Sequence, residues 1–456
     1  MQDKAVRYYS TNLRSPEVTF REALLKGLAP DAGLYMPGEI PQIPSDELEA
    51  LSGKNYPEVA ADILSRFLAD EIDREALLNI CVNAYKFEIP IEKVHDRNYV
   101  MRLDQGPTAS FKDFAALLMG RLMQYYLKID DQHLTILTAT SGDTGSAVAN
   151  AFYDLENIRV IILFPLKEVT DLQRKQMTTL KKNIQVFAIE GKFDDCQKLV
   201  KNAFMDPSLS HIRLSSANSI NIGRLLPQAV YYFYSWSFLS GKINDKVVFS
   251  VPSGNFGNLS GGLIAREMGL PVKRFVISTN ENNEVPEFLR TGKYKRISPS
   301  INCISSAMNV GHPSNLARIV ALYGGKMDET GEIIQVPDLQ KMRKDLFAIS
   351  ITDVKTKETI ANCYKQFGIL LEPHGAVAWQ GLKEYLKQNP DHDSENQLCI
   401  SLETAHPAKF RDEIYRILNF IPSTPGSIYG KSDQYEEYVS LDNNYNQFRN
   451  YILKNS

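Results

Sequence analysis

From Tyr99 onward, short and nearly unbroken apolar runs alternate with amphipathic stretches. "HLTILTAT" leads into "DTGSAVANAFY", "VIILFP" into "VTDLQRKQMTTL" and "IQVFAIEG" into "FDDCQKLVKNAF"; "DKVVFSVPS" leads into "NLSGGLIAREM", and "VKRFVIST" closes the series. Apolar runs this short, each followed by helical periodicity, predict buried strands that feed helices. That rhythm belongs to an α/β region with a largely parallel sheet. The chain before Tyr99 reads differently. There a loop punctuated by Gly and Pro, "GLAPDAGLYMPGEIPQIP", precedes the mostly helical stretches "SDELEALSG" and "YPEVAADILSRFL". Residues 299–353 read as more irregular, helices return at "KETIANCYKQF" and "GAVAWQGLKEYL", and "QLCISLET" predicts one more strand. The polar, tyrosine-rich tail after Gly426 reads as a loosely held extension. Three segments follow: a helical module over 1–95, an α/β region over 96–425 with a smaller lobe near 105–210, and an extension over 426–456.

Bulk properties narrow the possible partners. A chain of 456 residues exceeds one ordinary core, which fits the lobes just described. A formal net charge of -3 favours neither nucleic acid nor an anionic membrane surface. No apolar run approaches a membrane span, and the opening "MQDKAVRYYSTNLRS" lacks the apolar core of a secretory signal. The five cysteines are scattered without a CxxC pair, and the seven histidines lack ligand spacing. They predict neither a disulfide framework nor a metal site, and the cysteines suit a reducing cytoplasm; independently of them, the chain is expected to act on a small molecule as monomer or homodimer.

In an open parallel sheet, ligands gather beyond the carboxyl ends of the strands. Three turns there are candidates. "PSGNFGN" can adopt positive φ at Gly254 and Gly257, so that N–H groups converge at a helix start to take a phosphate; alternatively Ser253 or Asn255 merely caps the helix. Its glycine spacing is neither a Rossmann fingerprint nor a Walker loop. "TSGDTG" offers the hydroxyls of Ser141 and Thr144 and close approach at Gly142 and Gly145, which suits a carboxylate or a capping cluster. Asp143 is an odd neighbour for a carboxylate unless it points elsewhere. "ETAHP" ends a strand at Thr404, whose hydroxyl can meet a ring nitrogen or cap the strand. A fourth element is Lys112 in "GPTASFKDFAALLMGRLM", at the mouth of a helix whose apolar face runs through Phe114, Leu118 and Leu122. Lys112 either snorkels to water or is kept for its amine. Together an amine, two anion-binding turns and a strand-end hydroxyl match the aldehyde, phosphate and ring nitrogen of pyridoxal 5'-phosphate.

The motifs resemble those of the threonine synthase family, of the tryptophan-synthase-β type, or fold type II, of pyridoxal-phosphate enzymes. "SFKD" and "TSGDTG" belong to the wider fold type, whereas "SANSINIGR", "TAHPAKF" and the N-terminal "VTFREALLKGLAPDAGLYMP" are particular to the synthases. The resemblance implies open, mostly parallel sheets flanked by helices, with a synthase-type N-terminal module and a catalytic α/β region. It implies that Lys112 carries the cofactor and moves protons. Gly254, Asn255, Phe256, Gly257 and Asn258 would then hold the cofactor phosphate, and Thr404 the pyridine nitrogen. The substrate carboxylate would meet Ser141, Gly142 and Thr144, with Asp143 beside them. The substrate phosphate would meet Asn218, Ser219, Asn221 and Arg224, with Ser110 and Lys167. The implied reaction converts O-phospho-L-homoserine and water into L-threonine and phosphate, with a phospho-lyase or a non-catalytic cofactor carrier as rivals. Two positions depart from many relatives: Glu403 stands where glycine is expected, and Asn258 where some carry aspartate.

Overall fold

The computed structural model describes residues 5–389, 396–428 and 434–454. Each apolar run singled out above forms a strand, and the strands divide between two open, mostly parallel sheets, as the resemblance implied. The larger has six strands in the order Leu346–Ser350, Val272–Thr279, Val247–Pro252, Leu398–Glu403, Asn98–Arg102 and Ile91–His95. All are parallel to their neighbours except Ile91–His95, which pairs antiparallel with Asn98–Arg102. The smaller sheet has five parallel strands: Val439–Asp442, Ile184–Glu190, Ile158–Pro165, Leu134–Ala139 and Leu214–Ser215. Strands Leu134–Ala139, Val247–Pro252 and Leu398–Glu403 are buried at every residue, as strands covered by helices on both faces must be. Their carboxyl ends deliver the three candidate turns.

The N-terminal module packs directly behind that region. Its helices Phe20–Lys26 and Tyr56–Leu68 each open on a capping box, Thr19 with Glu22 and Asn55 with Glu58, and Asp73 caps Arg74–Ala84. A short antiparallel pair, Tyr8–Ser10 with Tyr35–Pro37, joins them. Tyr56 meets Tyr85, Phe114 and Tyr234 edge-on at 4.8, 5.4 and 5.3 Å, and the Tyr85 hydroxyl donates to the Phe114 carbonyl at 3.0 Å. Phe114 lies in the first turn of the Lys112–Asp130 helix, so the module braces the base of that helix. Residues 299–353, expected to be irregular, hold the helices Leu316–Leu322 and Leu339–Asp345 and end in the edge strand Leu346–Ser350.

The tail is not loosely held. Residues Val439–Asp442 pair with Phe187–Glu190 and complete the edge of the smaller sheet, which carries that lobe well beyond residue 210. Helix Tyr445–Lys454 then buries Phe448 and Ile452 in a cluster with Leu137, Phe187 and Leu199. A polar composition hid two apolar residues at i and i+4. Among the described residues no helix is long and apolar enough to cross a membrane, and no cluster of His, Cys, Asp and Glu could hold a metal. All five cysteines are free and buried. Phe448 meets the Phe187 ring edge-on at 5.8 Å. Replacing Phe448 with Ala is expected to cost about 3–5 kcal/mol in denaturant unfolding. A cost under about 1 kcal/mol, the scale of an exposed substitution, would show that the tail helix does not belong to the core.

Candidate active site

Lys112 begins a 19-residue helix, and the loop before it is pinned on both sides. Ser110 forms an antiparallel bridge with Ala405, the Phe111 N–H donates to the Thr404 carbonyl at 2.9 Å, and the His406 N–H donates to the Ala109 carbonyl at 3.0 Å. Asp113 accepts from the Thr108 N–H at 2.8 Å and from its hydroxyl at 2.6 Å. Gly106 makes room for that clasp, since a Cβ there would lie 2.5 Å from the Asp113 carboxylate. The residue after Lys112 thus fixes the loop that aims the lysine, a role the sequence reading missed. The Lys112 side chain is 15 % exposed, and its Nζ lies 3.5 Å from Asp143 Oδ2, so it does not snorkel. Burial pulls the ammonium pKa below the usual lysine value; nearby Lys409 and Arg224 act the same way, and Asp143 opposes them.

Asp143 opens the helix Asp143–Phe152 and faces cations. Lys409 Nζ lies 2.6 Å from Asp143 Oδ1, and Gln173 Nε2 donates to the same oxygen at 3.0 Å. Burial would raise the Asp143 pKa, but the charges of Lys409 and Lys112 hold it far below the ordinary carboxylate range. Lys409, with a side chain only 2 % exposed, also donates to the Thr108 carbonyl at 3.1 Å. It was visible in "TAHPAKF" but carried no periodicity to mark it. In the same turn the Thr140 hydroxyl accepts the N–H groups of Gly142 at 2.9 Å and Gly145 at 2.8 Å. The Gly142 N–H is therefore already bonded and not free for a ligand, whereas Ser141 is exposed and Thr144 half-buried.

The turn after Val247–Pro252 departs from expectation in its backbone. Positive φ falls on Phe256, at 61°, and on neither glycine. Gly254 is required by crowding instead, because a Cβ would come within 2.8 Å of Met308 Cα. At Gly257, a Cβ would approach the side-chain amides of Asn315 and Gln228 at 3.5 Å. Asn255 accepts from the Ser314 N–H at 2.7 Å and donates to the Ser219 hydroxyl at 2.5 Å. Asn258 Oδ1 accepts from the hydroxyls of Tyr231 and Tyr232, both at 2.6 Å. That leaves Asn258 Nδ2 buried without a partner, as is Asn315 Nδ2. Two orphaned amide donors beside the first N–H groups of the Gly257–Glu267 helix fit a phosphate group.

At the strand end, the Thr404 hydroxyl lies 3.4 Å from Glu372 Oε1. Glu403, the last residue of the strand, meets the start of the Pro373–Gln388 helix that Glu372 caps. It accepts the Glu372 N–H at 2.6 Å and lies 3.4 Å from Arg102 Nη1. Burial and the neighbouring Glu372 charge push its carboxyl well above the usual range.

The residues read as a second phosphate site divide. Asn221 is consumed structurally: its oxygen accepts the Gly223 N–H at 2.8 Å, and its nitrogen donates to the carbonyls of Leu24 and Ser216, both at 2.9 Å. Lys167 is exposed. Arg224 is buried and makes no ion pair among the described residues; Nη1 donates to the Ala217 carbonyl at 2.7 Å and Nε has no partner. Burial lowers its pKa to about 10. Asn218 Nδ2 reaches the Ala139 carbonyl at 3.5 Å, while its oxygen and the Ser110 hydroxyl are buried without partners.

Three protein-family models match the chain: "Threonine synthase N terminus" over residues 7–85, "Pyridoxal-phosphate dependent enzyme" over 88–401, and "Threonine synthase, C-terminal" over 376–452. A threonine synthase of Haemophilus influenzae is 41% identical over 451 residues, covering 97% of this chain and 99% of its own. Among solved structures, a PLP-bound threonine synthase from Brucella melitensis superposes with a TM-score of 0.90 at 34% identity, covering 99% of this chain and 100% of that one. The threonine synthase of Escherichia coli gives a TM-score of 0.87 at 36% identity, with 99% and 100% covered. With the lysine, the amide-lined glycine turn and full-length similarity in agreement, the chain belongs to the threonine synthase family of pyridoxal-phosphate-dependent enzymes.

Proposed function

We propose that the chain converts O-phospho-L-homoserine and water into L-threonine and phosphate. In the net reaction the C–O bond at Cγ breaks and phosphate leaves with its electron pair. Cβ loses a proton and gains the hydroxyl of water, Cγ gains a proton, and the departing phosphate takes up the remaining one. Pyridoxal phosphate, when bound, supplies an aldehyde that captures amines and a ring that accepts electrons from a carbon losing its proton. Lys112 is the residue to hold that aldehyde, the 254–258 turn with Asn315 its phosphate, and Thr404 its ring nitrogen.

The observation that carries the reading is the charge balance around the Lys112 amine. Lys112, Lys409 and Arg224 are largely buried; among the described residues the carboxylate in contact with the two lysines is Asp143, and the buried Asp113 near Lys409 and Arg224 still leaves cations in excess. A substrate with a carboxylate at one end and a phosphate at the other offsets that excess of positive charge. Ser141 and Thr144 suit the carboxylate. Arg224 Nε, Asn218 and Ser110 offer unpartnered polar atoms for the phosphate. Lys112 takes the proton at Cα, a task helped by a lowered pKa. Asp143 steadies the resulting ammonium while Lys409 keeps Asp143 itself paired.

Incubating the yellow holoenzyme with O-phospho-L-homoserine should release phosphate and threonine in equal amounts. Release of 2-oxobutyrate in place of threonine would make it a phospho-lyase, and absence of turnover would sink the reading. Lys112→Ala should fold normally but lose covalent cofactor and about a thousandfold or more in kcat. Borohydride trapping on a different lysine would overturn the assignment. The pH dependence of cofactor capture by apoprotein, read by absorbance, tests the charge balance with opposite signs. Asp143→Asn removes the anion that favours the ammonium, so free amine persists and the midpoint moves to lower pH. Lys409→Met removes a cation and leaves Asp143 to Lys112 alone, so the midpoint moves to higher pH. Shifts in the same direction would refute this arrangement.

A further inference from the structure

We propose that Glu436, in the C-terminal tail, is a positioning residue for the substrate: it clamps the helix that supports the Ser141–Thr144 turn. The inference rests on the reading of that turn as the carboxylate site.

The helix in question, Asp171–Thr178, is only eight residues long. A helix this short is not stable by itself and must be held by contacts from outside. Its inner side touches the candidate site throughout. Gln173 donates to Asp143 at 3.0 Å, and its carbonyl accepts from the Ser146 hydroxyl at 3.2 Å. The Gln173 amide lies so close to Gly142 that a Cβ there would come within 2.4 Å of it, and Met177 sulfur would meet a Cβ on Gly145 at 2.6 Å. Gln176 donates to the Thr108 carbonyl, in the Lys112 loop, at 3.3 Å. The same Gln173 side chain accepts the Thr170 N–H at 3.2 Å as part of the capping box. Fraying at the start of this helix would therefore release Asp143 as well.

Its outer side is held by the tail. Arg174 grips Glu436 with both Nε and Nη2, at 2.8 and 3.0 Å, and the Thr178 hydroxyl donates to the same carboxylate at 2.7 Å. The Glu437 N–H donates to the Thr178 carbonyl at 2.7 Å. One carboxylate thus spans the middle and the end of the helix through a bidentate pair, which carries directional strength that a single surface contact lacks. Strand Val439–Asp442 and the buried Phe448 and Ile452 anchor the tail on the smaller sheet immediately afterwards.

Glu436→Ala and Glu436→Gln in the holoenzyme should raise the KM for O-phospho-L-homoserine by roughly threefold to thirtyfold, the range expected for coupling without contact. The cofactor absorbance and the kcat should stay close to those of the parent, because Lys409 at 2.6 Å keeps Asp143 in place beside Lys112 when the helix end loosens. Gln173→Ala should raise KM too, and the double variant should show less than the product of the two effects. An unchanged KM in Glu436→Ala, or strict multiplicativity with Gln173→Ala, would overturn the clamp. Thr144→Val separates the two ideas. If it raises KM while Glu436→Ala does not, only the clamp fails; if it leaves KM unchanged, the carboxylate reading fails and takes the clamp with it.

Discussion

The constraint on which the site depends is a buried carboxylate shared between two lysines. Asp143 lies 2.6 Å from Lys409 and 3.5 Å from Lys112. A lone buried ammonium would shed its proton or pull water inward, and a lone buried carboxylate is as costly. With Lys409 as its close partner, Asp143 stays satisfied whether or not Lys112 is charged. Lys112 is thereby freed from the usual duty of a buried lysine. Its amine can be traded between a proton and a carbon partner without stranding a charge beside it. Gln173 completes the carboxylate's donors and links this balance to the helix outside it.

The two sheets make that arrangement rigid without making it crowded. Thr404 and the glycine turn come from the larger sheet, the Thr140–Gly145 turn from the smaller, and the Lys112 loop is hydrogen-bonded to the Thr404 strand end. Groups that act together are therefore fixed by different scaffolds. The bond from Asn255, after a larger-sheet strand, to Ser219, after a smaller-sheet strand, ties these scaffolds across the site. The N-terminal module contributes from behind, through Tyr56 on Phe114 and the Leu24 carbonyl on Asn221. Its sequence signature thus marks a structural support for the catalytic region more than a separate unit.

How much of this was legible depended on the kind of signal. Strands were readable because burial on both faces leaves uninterrupted apolar runs, and Lys112 stood out because it interrupts one. Lys409 and Asp113 were not, since their partners lie far along the chain or in a loop without periodicity. Asn221 illustrates the converse error. It had the right chemistry for a ligand, but a cap and two carbonyls use every polar atom it offers. Phe256 illustrates another: glycine permits positive φ, yet the backbone assigned that conformation to the aromatic residue and kept glycine for close contacts. The tail was misjudged because composition outweighed the spacing of Phe448 and Ile452.

Glu403 shows how a departure from family pattern is absorbed. A carboxyl group at the end of a buried strand would normally disrupt its surroundings; here it accepts the Glu372 N–H, lies beside Arg102 and has room because Gly375 lacks a side chain. A Cβ on Gly375 would lie only 1.5 Å from Glu403 Oε2, so a side chain at 375 is incompatible with this placement of Glu403. Glu372 caps its own helix by accepting from the His374 and Gly375 N–H groups at 2.7 and 3.0 Å. His374 Nε2 accepts the Ala307 N–H at 3.0 Å, which leaves the ring proton on Nδ1 to bond Glu372 at 2.5 Å. Three donors thus hold the Glu372 carboxylate in place beside Thr404. The Thr404 hydroxyl is left facing a fixed acceptor, and Glu403, fully buried, acts on it through Glu372, so the departure from family pattern is absorbed in the support of the site.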